Sequence, residues 1–259
     1  MSVDQRLIES QKNWIPLEAN PKVLTKFMQG LGVSKDWKFC DIYGIDDGLL
    51  EMIPSPCIAV ILLFPITPEY EDKRINLEKE LKEKGQILSD KVYFMKQYIG
   101  NACGTIGVIH SVLNNANVME FNENGFFRQF LDQTTSLSTE ERAISLMKNG
   151  EIEKSHEISA LQGQSNVPHE DESVILHFVS FVHVDGHLYE LDGRNSFAIN
   201  HGKSSPETLL KDTAKVLQMM IDENPAEIRF NLMGLVKKQE GDEDDEEEQE
   251  EEEKPEEKK

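Results

Sequence analysis

Two hydrophobic rhythms run through the first 238 residues, and several elements follow from them. Val23, Leu24, Phe27 and Leu31 recur at helical spacing behind Asn20-Pro21. That pattern predicts a helix capped by Asn20, with Pro21 at its first position and Gly30 near its end. Pro56 to Phe64 is a continuous branched-apolar run bounded by prolines, as expected of a strand buried on both faces. Cys57 opens that strand, so core packing is its expected role. Ile75 to Lys84 is charged and helical in spacing, and Gly85 supplies a stop. Leu209, Ala214, Val216, Leu217 and Ile221 mark another helix, and Ile228 to Val236 reads as a strand. Lys154 to Ser173 is long, polar and aperiodic, with Gly163 and Pro168 inside it. Such stretches are lids, binding loops or plain surface disorder. Helices and strands mix without a repeat, so the class is α/β (α+β).

The most informative run is Val174 to Val184, a strong strand that meets Asp185-Gly186 and returns through His187 to Gly193. Asp-Gly between two such runs is the strongest short hairpin signal. A two-residue loop pairs Val184 with His187, and stepping outward pairs Val179 with Asp192. His177 then shares a face with Val179 and has Asp192 as its diagonal neighbour, about 7–8 Å away at the backbone. A carboxylate across that gap fixes an imidazole's tautomer and stabilises its charged form. The plainer reading is a core histidine satisfied by a turn residue, and a one-residue slip in register would remove the pairing.

The other six histidines fare worse as a base. His187 points to the opposite face, and His183 lies about 20 Å along the strand. His156, His169 and His201 sit in polar, loop-like segments and are assigned to the surface.

The nucleophile candidate is Cys103, in Gly100-Asn101-Ala102-Cys103-Gly104. Asn101 reads as a helix cap, with Ala102, Ile106, Ile109 and Leu113 following at helical spacing. Cys103 thus falls in a first turn, where free N–H groups and the helix dipole favour a thiolate. The same position offers its backbone N–H to a developing oxyanion. Gln97, six residues upstream, offers a second donor from its side-chain amide. His110 lies two turns along the same helix, about 10 Å away. Taken alone, a helix-start cysteine is more often a buried apolar residue.

Charge and cysteine usage narrow the class. The chain of 259 residues carries −21. Glu240 to Lys259 holds fourteen acids and three lysines, or −11, so −10 remains for residues 1–239. An acidic folded part disfavours nucleic acid and suits a basic protein partner. The run from Gln239 cannot bury enough apolar surface to fold, which predicts a disordered acidic tail over 239–259 after one domain over 1–238. A solubilising spacer and a docking arm for a basic target both fit it. Three cysteines without CxxC spacing argue against a disulfide framework or structural zinc and fit a reducing compartment. No apolar run is long enough for a membrane span, no secretory signal opens the chain, and no metal or organic cofactor is implied.

Gln97 to His110, Leu176 to Phe178 and Gly186 to Arg194 closely resemble the ubiquitin carboxyl-terminal hydrolases, in their small single-domain form. The likeness continues through Trp14 to Pro21, Leu62 to Thr67 and Ile199 to Gly202, and spans roughly residues 12–236. It implies a papain-like arrangement with a central, mostly antiparallel sheet, flanking helices and a knotted backbone. By the same resemblance Cys103 is the nucleophile, His177 the proton carrier, Asp192 its orienting residue and Gln97 the oxyanion donor. Ubiquitin is the implied partner. Its contacts map to Pro16, Leu17, Glu18, Ala19, Asn20 and Pro21, and to a crossover loop of Ala160, Leu161, Gln162, Gly163, Gln164, Ser165, Asn166 and Val167. A third contact segment is Glu227, Ile228, Arg229, Phe230, Asn231 and Leu232. A loop over the site would admit a thin, extended tail, so the expected products are ubiquitin plus small adducts or short peptides. The acidic tail after the last strand departs from the family pattern. Processing of a related modifier, holding of mono-ubiquitin without turnover, and a chaperone-like role for the tail stay open. A monomer in the cytoplasm, with the nucleus also open to it, completes the expectation.

Overall fold

The computed structural model describes residues 12–163, 175–225, 227 and 229–242. In chain order these form α1 (Pro21–Gly30), β1 (Trp37–Asp41), α2 (Asp47–Leu50), β2 (Cys57–Pro65) and α3 (Pro68–Lys84). Then come α4 (Cys103–Leu113), α5 (Phe126–Thr134), α6 (Thr139–Met147), α7 (Gly150–Leu161) and the hairpin β3 (Leu176–Val184) and β4 (His187–Leu191). β5 (Ile199–Lys203), α8 (Leu209–Glu223) and β6 (Asn231–Lys237) complete the order.

The six strands make one antiparallel sheet in the order β1-β6-β2-β3-β4-β5. β2 and β3 lie inside it, and their alternating side chains feed two cores. Ala59, Ile61, Phe178 and Val182 join the larger one with α1 and α4 to α7. Val60, Leu62, Phe64, Val179 and Phe181 join the other with α8. A strand between two apolar layers has no polar face, which is why β2 reads as a continuous apolar run.

Every residue of α4 is buried, as a helix apolar on all sides must be. It lies against β3, where Ser111 and Ser180 hydroxyls bond at 2.8 Å in the middle of the interface. Burying Ile106, Val108, Ile109, Val112 and Leu113 stabilises this packing by roughly 1.5–3 kcal/mol each. The helix that starts with Cys103 is therefore a fixed axle of the larger core.

Four sequence expectations need correction. Lys154 to Leu161 is helix rather than loop: Asn149 caps α7 by accepting from the Glu151 and Ile152 amides. Its buried face holds Ile152, His156, Ser159 and Ala160, and the two polar members hide the amphipathic pattern. The helix expected at Ile75 begins at Pro68, with Thr67 as its cap. The cap of α4 is Ala102, without a side-chain bond, while Asn101 turns through φ 59° just before it. The last strand begins at Asn231 rather than Ile228. Asn20 caps α1 as expected, accepting from Lys22 and Val23. Among the described residues no helix is long and apolar enough to cross a membrane.

Candidate active site

The hairpin register is the one its two-residue loop dictates: Val184 pairs with His187, Val182 with Tyr189 and Ser180 with Leu191. Asp185 and Gly186 both take positive φ, 48° and 78°, the geometry that matches strand twist in a two-residue turn. β4 ends at Leu191, so Asp192 sits one step beyond the ladder. His177 Nε2 donates to Asp192 Oδ1 at 2.7 Å, leaving the other ring nitrogen for the thiol of Cys103, whose charged form His177 stabilises. Cys103 and His177 are 7% and 3% exposed and Asp192 is fully buried.

Electrostatics in this sealed group follow from its partners. Burial works against the charged form of all three residues, and in all three it loses. Burial pushes the Cys103 thiol up, but the bond and charge of His177 outweigh it, helped by the Phe178 and Gly104 backbone, so the net shift is down. Burial pushes His177 down, but Asp192 and Cys103 raise it to about 10. Asp192 is held below its usual range, chiefly by His177 and by the Arg194 amide, which donates to Oδ1 at 2.8 Å. Opposite shifts on thiol and imidazole favour a thiolate–imidazolium pair at neutral pH.

Gln97 stands beside this group. Its backbone N–H donates to Gly193 at 2.8 Å, and its Nε2 donates to the Ile99 carbonyl at 3.0 Å. That second bond orients the amide and leaves one N–H over, while Oε1 is buried without a partner. Gly193 makes the approach possible: a Cβ there would lie 2.9 Å from Gln97 Cβ and 3.0 Å from Ile106 Cγ2. Sequence reasoning missed this glycine, although its place directly after Asp192 was a signal. As the first residue of α4, Cys103 has no intrahelical acceptor for its own N–H.

The three expected contact segments are placed unevenly. Leu17 is buried against Gly104, where an added Cβ would lie 3.1 Å from Leu17 Cβ. Asn20 and Pro21 are spent on the start of α1, and Glu18 accepts from Asn20 at 3.2 Å. Pro16 and Ala19 are half-buried. Ala160 and Leu161 end α7 rather than opening a loop, and Gln162 and Gly163 follow. A Cβ on Gly163 would lie 2.6 Å from Glu18 Oε2, so the first two segments adjoin. Glu227 and Arg229 pair at 2.6 Å, Phe230 is half-buried, and Asn231 and Leu232 start β6. Gln164 to Val167 and Ile228 lie outside the described residues.

Other histidines depart from their surface assignment. His156 is 2% exposed on α7, and His201 on β5 bonds Glu190 at 2.7 Å. His169 lies outside the described residues. His110 is fully buried, accepting from the Met95 amide and donating to the Leu191 carbonyl. Among the described residues no group of three His, Cys, Asp or Glu is placed to hold a metal ion.

Comparison with known proteins adds a consistent picture. Residues 14–222 match the family model for ubiquitin carboxyl-terminal hydrolase, family 1. A probable ubiquitin carboxyl-terminal hydrolase of Dictyostelium discoideum is 87% identical over 238 residues, covering 92% of this chain and 93% of that protein. Ubiquitin carboxyl-terminal hydrolase isozyme L1 of Homo sapiens is 46% identical over 223 residues, 86% of this chain and 97% of its own length. Among solved structures, the Trichinella spiralis UCH37 catalytic domain bound to ubiquitin vinyl methyl ester shares the fold. It has a TM-score of 0.69 and 22% identity, covering 90% of this chain and all of that one.

Proposed function

Because the chain belongs to family 1 of the ubiquitin carboxyl-terminal hydrolases, we propose that it hydrolyses the bond after ubiquitin's C-terminal glycine with Cys103 as nucleophile. It is a deubiquitinating cysteine hydrolase, and the assignment of roles to its residues rests on one observation. In the buried row Cys103–His177–Asp192 the imidazole is bonded to the carboxylate at 2.7 Å, an arrangement that shifts the imidazole up and the thiol down.

The steps follow from that charge state. The Cys103 thiolate attacks the glycine carbonyl carbon, and the resulting oxyanion takes hydrogen bonds from the spare Gln97 amide N–H and the Cys103 backbone N–H. His177 passes its proton to the leaving amine as the carbon–nitrogen bond breaks, leaving a thioester. Neutral His177 then takes a proton from water, whose oxygen attacks the thioester, and the returned thiolate leaves ubiquitin with a free carboxylate. Asp192 keeps the ring oriented and its charged form stable throughout. Pro16 to Pro21, the stretch after α7 and Glu227 to Leu232 hold ubiquitin, and the leaving groups are small adducts or short peptides. The catalytic domain ends at Lys238, with an acidic extension over 239–259. Three free cysteines suit the reducing cytoplasm.

The test is release of a fluorophore from the C-terminus of ubiquitin, with wild type and Cys103→Ser compared at equal concentration. Turnover by wild type and a loss of about 10⁴-fold or more in the variant support the assignment. Binding of ubiquitin by wild type without release would sink it. Parallel substrates built on other Gly-Gly modifiers identify the preferred one.

A further inference from the structure

His156 is buried away from the reacting row and takes no part in the steps above, yet it joins the stretch before Pro16 to the first turn of α4. Its Nε2 lies 2.5 Å from the Ile15 carbonyl, and its Nδ1 lies 2.7 Å from Thr105 Oγ1. A carbonyl only accepts, so Nε2 carries the hydrogen. Nδ1 then accepts from the Thr105 hydroxyl, which fixes one neutral tautomer. The ring is wedged against Trp14 at 4.4 Å and meets Phe27 edge-on at 6.3 Å. Burial accordingly pushes its pKa down to about 4.

Each end of this bridge matters for the site. Thr105 is fully buried in the first turn of α4, two residues after Cys103. Ile15 immediately precedes Pro16, where the first contact segment begins. His156 itself lies on α7, whose end leads into Gln162 and Gly163, and Gly163 packs on Glu18. The segment has two other anchors: Trp14 N–H donates to the Gly100 carbonyl at 2.9 Å, and Leu17 packs on Gly104. Between them the Ile15 carbonyl is held by a side chain from a different helix. We propose that His156 is a positioning residue for this reaction, a neutral two-bond bridge that sets the 16–21 contact segment and the end of α7 in register with the nucleophile's helix. The inference rests on the proposed hydrolase reading and deepens it, assigning His156 to substrate binding rather than to chemistry.

The two bonds can be removed separately. Glutamine places its terminal amide where Nε2 was, so His156→Gln keeps the bond to Ile15. Asparagine reaches only as far as Nδ1, so His156→Asn keeps an acceptor for Thr105 and loses Ile15. With the ubiquitin–fluorophore substrate, His156→Asn is expected to raise KM about fivefold with kcat within twofold, as suits one lost neutral hydrogen bond. His156→Gln, which keeps the Ile15 bond and gives up the one to Thr105, is expected to raise KM about threefold, less than His156→Asn, with kcat within twofold. In a Cys103→Ala background, which reports no chemistry, calorimetric Kd for ubiquitin should follow the same order. A purely structural histidine would lower thermal stability in both variants without this KM split. Equal KM in the folded Asn and Gln variants overturns the proposal, whereas absent turnover by wild type overturns the hydrolase reading instead. If His156→Asn does not fold, Thr105→Val carries the test. It removes one hydroxyl and frees the ring to turn; a KM raised about threefold supports the bridge, and an unchanged KM overturns it.

Discussion

Cys103 and Cys57 are almost equally hidden, at 7% and 8% exposure, yet their thiols move in opposite directions. Cys57 opens β2 and donates to the Ala59 carbonyl at 3.4 Å, and burial pushes its pKa up to about 12. Cys103 bears the same burial, but a buried imidazole with a carboxylate behind it reverses the sign. The histidines repeat the contrast. His177 is raised to about 10, while His110, with only backbone partners, is lowered to about 4 by burial. Desolvation is common to all four groups and disfavours charge in each. What separates a reactive pair from packing is whether the low-dielectric interior also holds a compensating charge. Here that charge originates at Asp192.

Removing it is the strongest way to break the contrast. Asp192→Asn leaves a side chain of the same shape but no charge, and kcat is expected to fall about 10³- to 10⁴-fold. The Cys103–His177 pair should lose its opposite shifts, so the pH at which Cys103 is alkylated by iodoacetamide moves up in the variant. An unchanged alkylation profile would show that Asp192 is not the source of the pair's charge. Gln97→Ala is expected to cost less, about 10²- to 10³-fold in kcat, with KM nearly unchanged, because it removes one donor made for the oxyanion. A matching rise in KM would place Gln97 in ground-state binding instead.

How much of this was legible depended on whether a local rule had competition. The β3–β4 register followed from Asp185-Gly186 because a two-residue turn admits one pairing, and that carried His177 to Asp192. α1 was legible because Asn20 and Pro21 mark its start directly. α7 was not, because its buried face uses two polar residues, His156 and Ser159, and the partners of His156, Ile15 and Thr105, lie far away in the chain. No window of sequence contains that bridge. Asn101 was misjudged for a related reason: asparagine suits both a helix cap and a left-handed turn, and only the packing of Gly100 beside Asn13 selects the turn. Gly193 likewise needs Gln97 and Ile106 beside it before its missing side chain means anything.

A pH titration of stability sharpens the histidine half of the contrast. His110 and His156 are lowered to about 4, so between roughly pH 6.5 and 4 the unfolded chain binds protons that the folded one refuses. Stability from these groups is present above 6.5 and lost as pH falls towards 4, at about 1.4 kcal/mol per pH unit each. Half-buried His183, also lowered, and Glu153 beside His156, which partly offsets the burial, modify the slope. His177 acts oppositely: its contribution is full below 6.5 and is lost as pH rises through about 10. Urea unfolding of His156→Gln should show a shallower acid loss than wild type. Identical slopes would mean that His156 is protonated in the folded protein.

The smallest effect belongs to Cys57, where the contrast predicts almost nothing for function. Cys57→Ala removes a sulfur that packs near Gly234, 3.1 Å from where a Cβ there would lie, and a weak S–H bond to Ala59. The expected loss is about 1 kcal/mol of stability in urea unfolding, with kcat and KM as in wild type. Its thiol also tests the chemistry directly. With a pKa of about 12, only about 10⁻⁵ of Cys57 is thiolate at pH 7, and Cys40, pushed to about 11, is little better. One equivalent of iodoacetamide should therefore modify Cys103 and abolish turnover while leaving both others intact. Labelling of Cys57 at a comparable rate would mean that its burial, and with it the β2–β6 packing that hides it, opens far more often than a closed core allows.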